Sequence, residues 1–242
     1  MIHNRLMAFY GLIAVGLLVA CQFNEKDYVE EDMDSAVVLQ LNPVGQQRFS
    51  KPILPMEGVP YQNGDIIFHS SQTHQSRAIQ LATNSPYSHV GIMHEENGEW
   101  YVYEAISTVQ STPLKKWIAR GKNKHYVIKR LKDKRLLTEE NLMKMKEVGG
   151  KYRGKAYDMQ FDWSDDQLYC SEVVWKIYDQ AIGVELGELQ QIKTLNIDHT
   201  LVQQKIKERY KSILPLEQWV ISPARMFNCK KLETVMVYPE ES

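Results

Sequence analysis

The sequence predicts one domain of the α/β or α+β class, and three observations lead to this prediction. The chain has 242 residues, which suits a single domain of either class. Hydrophobic residues make up 43% and charged residues 24%, a globular rather than a disordered or fibrous composition. Strand-like and helix-like segments follow one another after residue 60, without internal repeats or low-complexity tracts.

Composition also excludes several functional classes. The net charge of −1 gives no electrostatic basis for binding nucleic acid. No run of 18 uninterrupted apolar residues occurs, which argues against a permanent membrane span. Three cysteines are too few for a disulfide scaffold.

Residues 1–20 have the pattern of a signal peptide. A weakly positive start precedes the apolar run 6–18, which is too short to cross a bilayer. The next residue is Cys21, and Leu18-Val19-Ala20-Cys21 resembles a bacterial lipobox, which predicts a diacylated Cys21 and an exported, membrane-anchored lipoprotein. Gln22 favours the outer membrane, facing the periplasm, if the host is Gram-negative. A buried N-terminal helix is the alternative.

A polar tether and lead-in are expected over 21–58, followed by a domain over 59–242. Residues 35–63 hold four prolines and little periodicity. Gly64-Asp65 then precedes a short apolar strand at 66–68, and residues 76–82 have helical spacing.

The strongest local signal is a β-hairpin. The β-rich runs 89–94 and 100–104 flank Asn97-Gly98, a pair typical of two-residue turns. With that turn, Gly91 lies opposite Glu104.

After the hairpin the sequence predicts a helix, a strand and a second helix. Thr112-Pro113 would supply an N-cap and a first-turn proline for a short helix that ends at Gly121. A strand is expected at 126–131, and a helix at 139–148 that ends at Gly149-Gly150.

A further helix carries Cys170. Ser164 and Gln167 resemble a capping box that would open it, and Gly183 would close it. Apolar positions step by three and four, so Cys170 is expected on the core-facing stripe in the first turn.

The C-terminal part is expected to hold an insertion and two strands. Residues 184–212 are amphipathic and predict a helical insertion, while 216–220 and 235–238 are strand candidates, with Ser222-Pro223 between them.

His89, Glu104 and Cys170 form a candidate catalytic set. Hairpin parity places His89 and Glu104 on one face as diagonal neighbours, where a carboxylate can fix the imidazole tautomer. A thiol in the first turn of a helix meets unsatisfied N–H groups and the positive end of the dipole, which favour the thiolate. The backbone N–H of Cys170 could also face a developing oxyanion. Together these residues have the pattern of nucleophile, base and orienting group.

Several motifs together resemble a known family, the circularly permuted, papain-like branch of the NlpC-type cysteine peptidases that includes the YiiX/YebB-like proteins. The matching motifs are Gly64-Asp65-Ile66-Ile67-Phe68, Tyr87-Ser88-His89-Val90-Gly91, Tyr103-Glu104-Ala105 and Tyr169-Cys170-Ser171-Glu172, over about residues 60–180.

The resemblance implies an α+β fold in which an antiparallel sheet packs against the helix that carries the nucleophile. It implies Cys170 as nucleophile, His89 as base and Glu104 as orienting residue. Tyr169 would shape the pocket or contact substrate, while Asp65 would lie near the site or be structural. Ser222-Pro223 would match a C-terminal strand. The segment 184–220 has no counterpart in the resemblance.

Other interpretations remain open. His89 and His94, with His69, His74 and His125 nearby, raise the possibility of zinc, but His89 and His94 would point to opposite faces of a strand, so no metal is expected. A Cys170–Cys229 disulfide would silence the thiol. Aromatic residues around Cys170 should be mostly core, with one or two in an apolar pocket: Tyr157, Phe161, Trp163, Trp175 and Tyr178.

Three functions follow from these patterns. The first is a lipid-anchored cysteine hydrolase that acts, without a cofactor, on an amide or ester such as a cell-wall peptide. The second is a thiol acyltransferase acting on lipids, which an apolar pocket beside Cys170 would favour. The third is a non-catalytic lipoprotein that binds a ligand or partner through the same cleft.

Overall fold

The computed structural model describes residues 61–210 and 214–239. The strands are β1 (Ile66–His69), β2 (His89–Glu96), β3 (Glu99–Ala105), β4 (Val109–Pro113), β5 (Tyr126–Leu131), β6 (Gln190–Gln191), β7 (Trp219–Val220) and β8 (Leu232–Tyr238). The helices are α1 (His74–Thr83), α2 (Leu114–Ala119), α3 (Glu139–Tyr152), α4 (Cys170–Ile182), α5 (Thr200–Arg209) and α6 (Pro223–Phe227). The fold is of the α+β class, as the resemblance implied.

The signal peptide, Cys21 and the tether of the sequence analysis lie outside the described residues. Among the helices in the described ranges, none combines the length and apolar character needed to cross a membrane.

Six strands form one antiparallel sheet in the order β4-β3-β2-β1-β5-β8, and β6 pairs with β7 in a separate two-stranded sheet. Asn97 and Gly98 form the predicted two-residue turn, with φ of 55° and 83°. Glu96 pairs with Glu99 and Ile92 with Tyr103, which confirms the register predicted from the turn.

Hydrophobic side chains cover both faces of the large sheet, because successive side chains along its strands point alternately into two cores. One core joins Ile66, Phe68 and Val90 to Val173 and Ile177 of α4. The other joins the sheet to α2, around the fully buried Trp117. The sheet is therefore a middle layer, with α4 on one face and α2 on the other.

Several predicted boundaries were wrong. The Cys170 helix begins at Cys170 itself, so Ser164 and Gln167 do not cap it. Thr112 and Pro113 belong to β4, a strand that the sequence analysis missed, because the β3 edge offers them pairing partners. Helix α3 continues through the two glycines to Tyr152, because Val148 and Tyr152 on either side of them are packed in the core.

The C-terminal third also differs from expectation. The predicted helical insertion over 184–212 is only partly helical. In its described residues the α-helix is α5, which follows β6 and a 3₁₀ turn at Ile192–Thr194. In the 216–220 candidate, only Trp219–Val220 is a strand. Ser222 caps α6 by accepting a hydrogen bond from the Arg225 N–H, so Ser222-Pro223 does not belong to a strand.

Gly91 sits where the hairpin backbone and side chains leave no space. A Cβ atom there would lie 2.3 Å from Val102 Cγ1 and 2.8 Å from the Tyr103 carbonyl oxygen. We expect Gly91→Ala to lower the free energy of unfolding by about 1–3 kcal/mol through overpacking, measured by urea denaturation. Gly150→Ala is the control, since its Cβ meets nothing within 4 Å and alanine favours a helix. Equal stability of the two variants would contradict this close packing.

Candidate active site

His89 and Glu104 form a buried pair across the β2–β3 hairpin. Imidazole Nε2 of His89 lies 2.5 Å from carboxylate Oε2 of Glu104. The register of the hairpin brings the two side chains together, and Gly91 lies between them, where a Cβ atom would be 3.4 Å from the Cβ of Glu104. This hydrogen bond fixes the orientation of the His89 ring, and Nδ1 is the ring nitrogen that does not bond Glu104.

The other carboxylate oxygen of Glu104 is held as well. Thr112 Oγ1 donates to Oε1 at 2.6 Å, and an Arg120 guanidinium nitrogen donates to the same atom at 2.5 Å. Burial acts to raise the pKa of Glu104, but the hydrogen bonds and charges of His89 and Arg120, with the Thr112 bond, lower it to about 2. Glu104 is therefore a permanent anion.

Cys170 is buried at the amino end of α4, where the helix begins. Its neighbours hold this turn in place: Ser171 Oγ donates to the Ile221 carbonyl at 2.8 Å, and the Ile221 N–H donates to the Tyr169 hydroxyl at 3.0 Å. Glu172 Oε2 accepts from the Tyr169 N–H at 3.3 Å. The segment that precedes α6 thus clasps the turn that carries the thiol.

His89 connects the carboxylate to the thiol. Burial acts to lower the pKa of His89, but the charge and hydrogen bond of Cys170, together with those of Glu104, raise it to about 9. An imidazolium is consequently the favoured form at neutral pH, next to the sulfur and the carboxylate. A thiol, an imidazole and a carboxylate in this order can activate the thiol for nucleophilic attack.

Tyr157 contacts the thiol from another direction. Its side chain hydrogen-bonds Cys170, and its hydroxyl accepts from Gln75 Nε2 at 3.2 Å. Burial and the charge of Cys170 hold the pKa of Tyr157 well above its usual range, so the hydroxyl keeps its proton.

His69 lies beside His89 on the neighbouring strand. Its ring stacks on Trp117 with centroids 3.9 Å apart and lies 5.2 Å from the His89 ring. Burial, followed by the charges of His89 and Arg120, keeps its pKa well below 6.5. A neutral ring therefore faces the charged one, which avoids repulsion between two imidazolium groups.

The other two candidate site residues, Asp65 and Tyr169, lie in different parts of the fold. Asp65 is buried at the opposite end of β1 from His69, where its oxygens accept from Arg130 at 2.6 and 2.7 Å. This position fits the structural alternative for Asp65. Tyr169 directly precedes Cys170 in the chain, and both residues line an apolar pocket. The alternative disulfide is not formed, since Cys170 and Cys229 are both free.

Comparison with known proteins gives the family. Residues 60–236 match the model of the permuted papain-like amidase enzymes, the YaeF/YiiX or C92 family. The chain belongs to this family. Because the match runs through residues 184–220, that segment is part of the family domain, contrary to the narrower span expected from the motifs.

Two relatives are closely similar. Protein YiiX of Escherichia coli strain K12 is 47% identical over 174 residues, which cover 72% of this chain and 85% of the relative. The crystal structure of metalloprotein yiiX from Escherichia coli O157:H7 matches with a TM-score of 0.69 and 47% identity, over 72% of this chain and 96% of that one.

The description of that relative as a metalloprotein raises the question whether this chain offers metal ligands. Within residues 61–210 and 214–239, no group of three or more His, Cys, Asp or Glu side chains could hold a metal ion. His69 and His89 are adjacent, but His89 Nε2 bonds Glu104 and His69 Nε2 lies 3.0 Å from Ser71 Oγ. The described residues therefore do not fit a metal centre.

Sequence reasoning missed two residues of the site. Thr112 of β4 lies on the same face of the sheet as Glu104, so recognising that strand would have found it. Arg120 comes from the end of α2, and no periodic signal marks it. Tyr157 was expected only as one of the aromatic residues of the core or of an apolar pocket, and it lines the pocket with Phe161.

The two neighbouring imidazoles should titrate at opposite ends of the pH range. In ¹⁵N NMR of the full chain, we expect His89 to lose its proton near pH 9, while His69 stays neutral at pH 6. Cys170→Ala removes the largest contributions that raise the pKa of His89, so the transition should move to lower pH. Because the folded pKa of His89 exceeds the unfolded value of 6.5, this stabilisation is present below pH 6.5 and lost as pH rises through 9. A His89 transition near pH 6.5 in both proteins would exclude the contributions of Cys170 and Glu104 to the pKa of His89.

Proposed function

We propose that this protein is a cysteine hydrolase of amides or esters that acts through Cys170, His89 and Glu104. The observation that carries the proposal is the buried chain of contacts in which Glu104 holds one imidazole nitrogen and Cys170 interacts with the same ring. Membership of a papain-like amidase family supports the same reaction class.

The residues divide the chemistry between them. The Cys170 thiolate attacks the carbonyl carbon, and a C–S bond forms as the C–N or C–O bond to the leaving group breaks. His89 gives its proton to the leaving amine or alcohol, then takes a proton from the water that hydrolyses the thioester. Glu104 keeps the ring oriented and stabilises its charge.

Thiol reactivity tests the proposed nucleophile. We expect iodoacetamide at pH 6 to label Cys170 roughly tenfold faster than Cys229 in the full chain, because only Cys170 has an imidazolium partner. Peptide mass spectrometry distinguishes the two cysteines, and Cys229 is the internal control. His89→Ala should abolish the difference, Cys170→Ala should abolish turnover, and Glu104→Gln should lower kcat/KM by about 10²-fold or more.

Three results would contradict the proposal. Labelling of both cysteines only above pH 8 would indicate an ordinary thiol and favour a ligand-binding protein. Glu104→Gln activity equal to wild type would exclude the orienting role. Product that appears only with a lipid acceptor would identify an acyltransferase instead.

We also propose that Cys21 carries the lipid that anchors the domain, on the outer membrane facing the periplasm if the host is Gram-negative. The support is the sequence Leu18-Val19-Ala20-Cys21 after an apolar run. Mass spectrometry of the N-terminal peptide should find Cys21 as first residue with two or three acyl chains, and Cys21→Ser should release the protein from the membrane fraction. Cys229→Ser is the control. An unmodified Cys21 in a membrane-bound protein would contradict the proposal.

A further inference from the structure

A second cavity lies between α3 and the large sheet, apart from the triad. It encloses about 1160 Å³, including the part open to solvent. Residues of β2, β3 and β4 form one wall, and α3 with the residue that follows it forms the other. Cys170, His89 and Glu104 do not line this cavity, so it is separate from the proposed reaction.

The helix wall of the cavity carries two cations on one stripe. Lys146, Gly150 and Arg153 are spaced by four and three residues, which places them on one face of the helix, and all three line the cavity. Because Gly150 lies between the two cations and has no side chain, their long side chains can converge above it. Within the described ranges, the ion pair of α3 joins Lys144 to Glu140, and neither Lys146 nor Arg153 has a carboxylate partner.

The sheet wall faces these cations with an imidazole and a hydroxyl. His94 Nε2 lies 3.0 Å from Ser111 Oγ, and the His94 ring stacks on Tyr101 with centroids 5.6 Å apart. The Gly154 N–H donates to the Val109 carbonyl at 2.8 Å, which holds the end of α3 against β4, the strand that carries Ser111. Groups that can donate hydrogen bonds therefore lie on both walls.

The acidic residues of the lining lie at the hairpin end of β2. Glu95 and Glu96 both line the cavity, but the Glu95 carboxylate accepts from the Gly98 N–H and is thus directed to the turn. Burial lowers the pKa of His94, Glu96 acts to raise it, and the two cations of the helix wall lower it. An anion bound beside these cations should therefore raise the pKa of His94.

Two features of α3 have no explanation in the packing of the described chain. Gly149 and Gly150 each disfavour a helix by about 1 kcal/mol relative to alanine. A Cβ at Gly150 would meet nothing within 4 Å, and one at Gly149 would make ordinary contacts at 3.5 Å, so neither position needs glycine for packing. Met143 lines the same cavity with 64% of its surface exposed. A ligand that approaches the helix backbone would account for both features.

We propose that this cavity binds a small phosphate monoester. The phosphate lies over Gly150, between Lys146 and Arg153, and Ser111 donates to it from the sheet. The organic part of the ester covers Met143. Three phosphate oxygens can accept from both walls at once, whereas a carboxylate offers two oxygens and a smaller charge. This binding site goes beyond the proposed hydrolase and does not depend on it.

Calorimetric titration of the full chain with phenyl phosphate tests the site. At pH 7.5 we expect phenyl phosphate to bind at least about tenfold more tightly than benzyl alcohol and roughly threefold more tightly than benzoate. Replacing Lys146 and Arg153 together by alanine should weaken binding by about tenfold or more. Lys144→Ala is the matched control on α3, because Lys144 does not line the cavity, and it should change the affinity by less than about twofold.

Steric and spectroscopic measurements locate the ligand. Gly150→Leu places a side chain in the cavity and should abolish binding, while thermal unfolding verifies that the variant is folded. The His94 Hε1 signal should move on titration with phenyl phosphate, and its pKa should rise. Lys205→Ala changes the pocket beside Cys170 and should leave the affinity unchanged, as should Cys170→Ala.

The possible outcomes separate this site from the proposed function. Equal affinity for phenyl phosphate and benzyl alcohol would overturn the anion site, and equal affinity for benzoate would overturn the choice of phosphate. Binding that Lys144→Ala weakens as much as the double variant, or that leaves the His94 signal unmoved at saturation, would overturn the assignment to this cavity. None of these results bears on the thiol. Phenyl phosphate binding with a slowly labelled Cys170 would support the cavity and contradict only the hydrolase.

Discussion

The buried carboxylate of Glu104 is the constraint on which the site depends. An ionised carboxylate removed from water is stable only when donors surround it, because burial without partners costs several kcal/mol. His89, Thr112 and Arg120 supply those donors from β2, β4 and the end of α2. The negative charge that results is one of the reasons that His89 can hold a proton in a buried position.

The layered fold explains how distant elements reach one centre. Helix α4 packs on one face of the sheet and Trp117 of α2 on the other, yet both approach His89, because this residue is the first of β2 and lies at the end of the strand. Hydrogen bonds from the residues beside Cys170 to Ile221 tie α4 to the segment before α6. The position of the Cys170 sulfur is thus set by contacts with Ile221, a residue distant in the sequence.

The environment of Cys170 is asymmetric. On one side lie His89 and its carboxylate partner Glu104, and on the other lies an apolar cavity bounded by α1 and α5. The segment 184–220 therefore shapes the surroundings of Cys170, although Cys170, His89 and Glu104 all lie outside it.

The sequence by itself determined the hairpin and its consequences. Asn97-Gly98 accepts positive φ at both positions, so the turn has two residues and the parity of His89 and Glu104 follows from local chemistry. The start of α4 depended on the tertiary contacts of Ile221 with Tyr169 and Ser171, in addition to the local capping bond from the Tyr169 N–H to Glu172. Strand β4, which carries Thr112, forms because it can pair with the edge of β3. The pocket beside Cys170 required α5 and α1 to meet across more than a hundred residues, and no periodic pattern in either helix encodes that contact. Local backbone preferences can be read along a chain, but a cavity is defined by surfaces that only folding brings together.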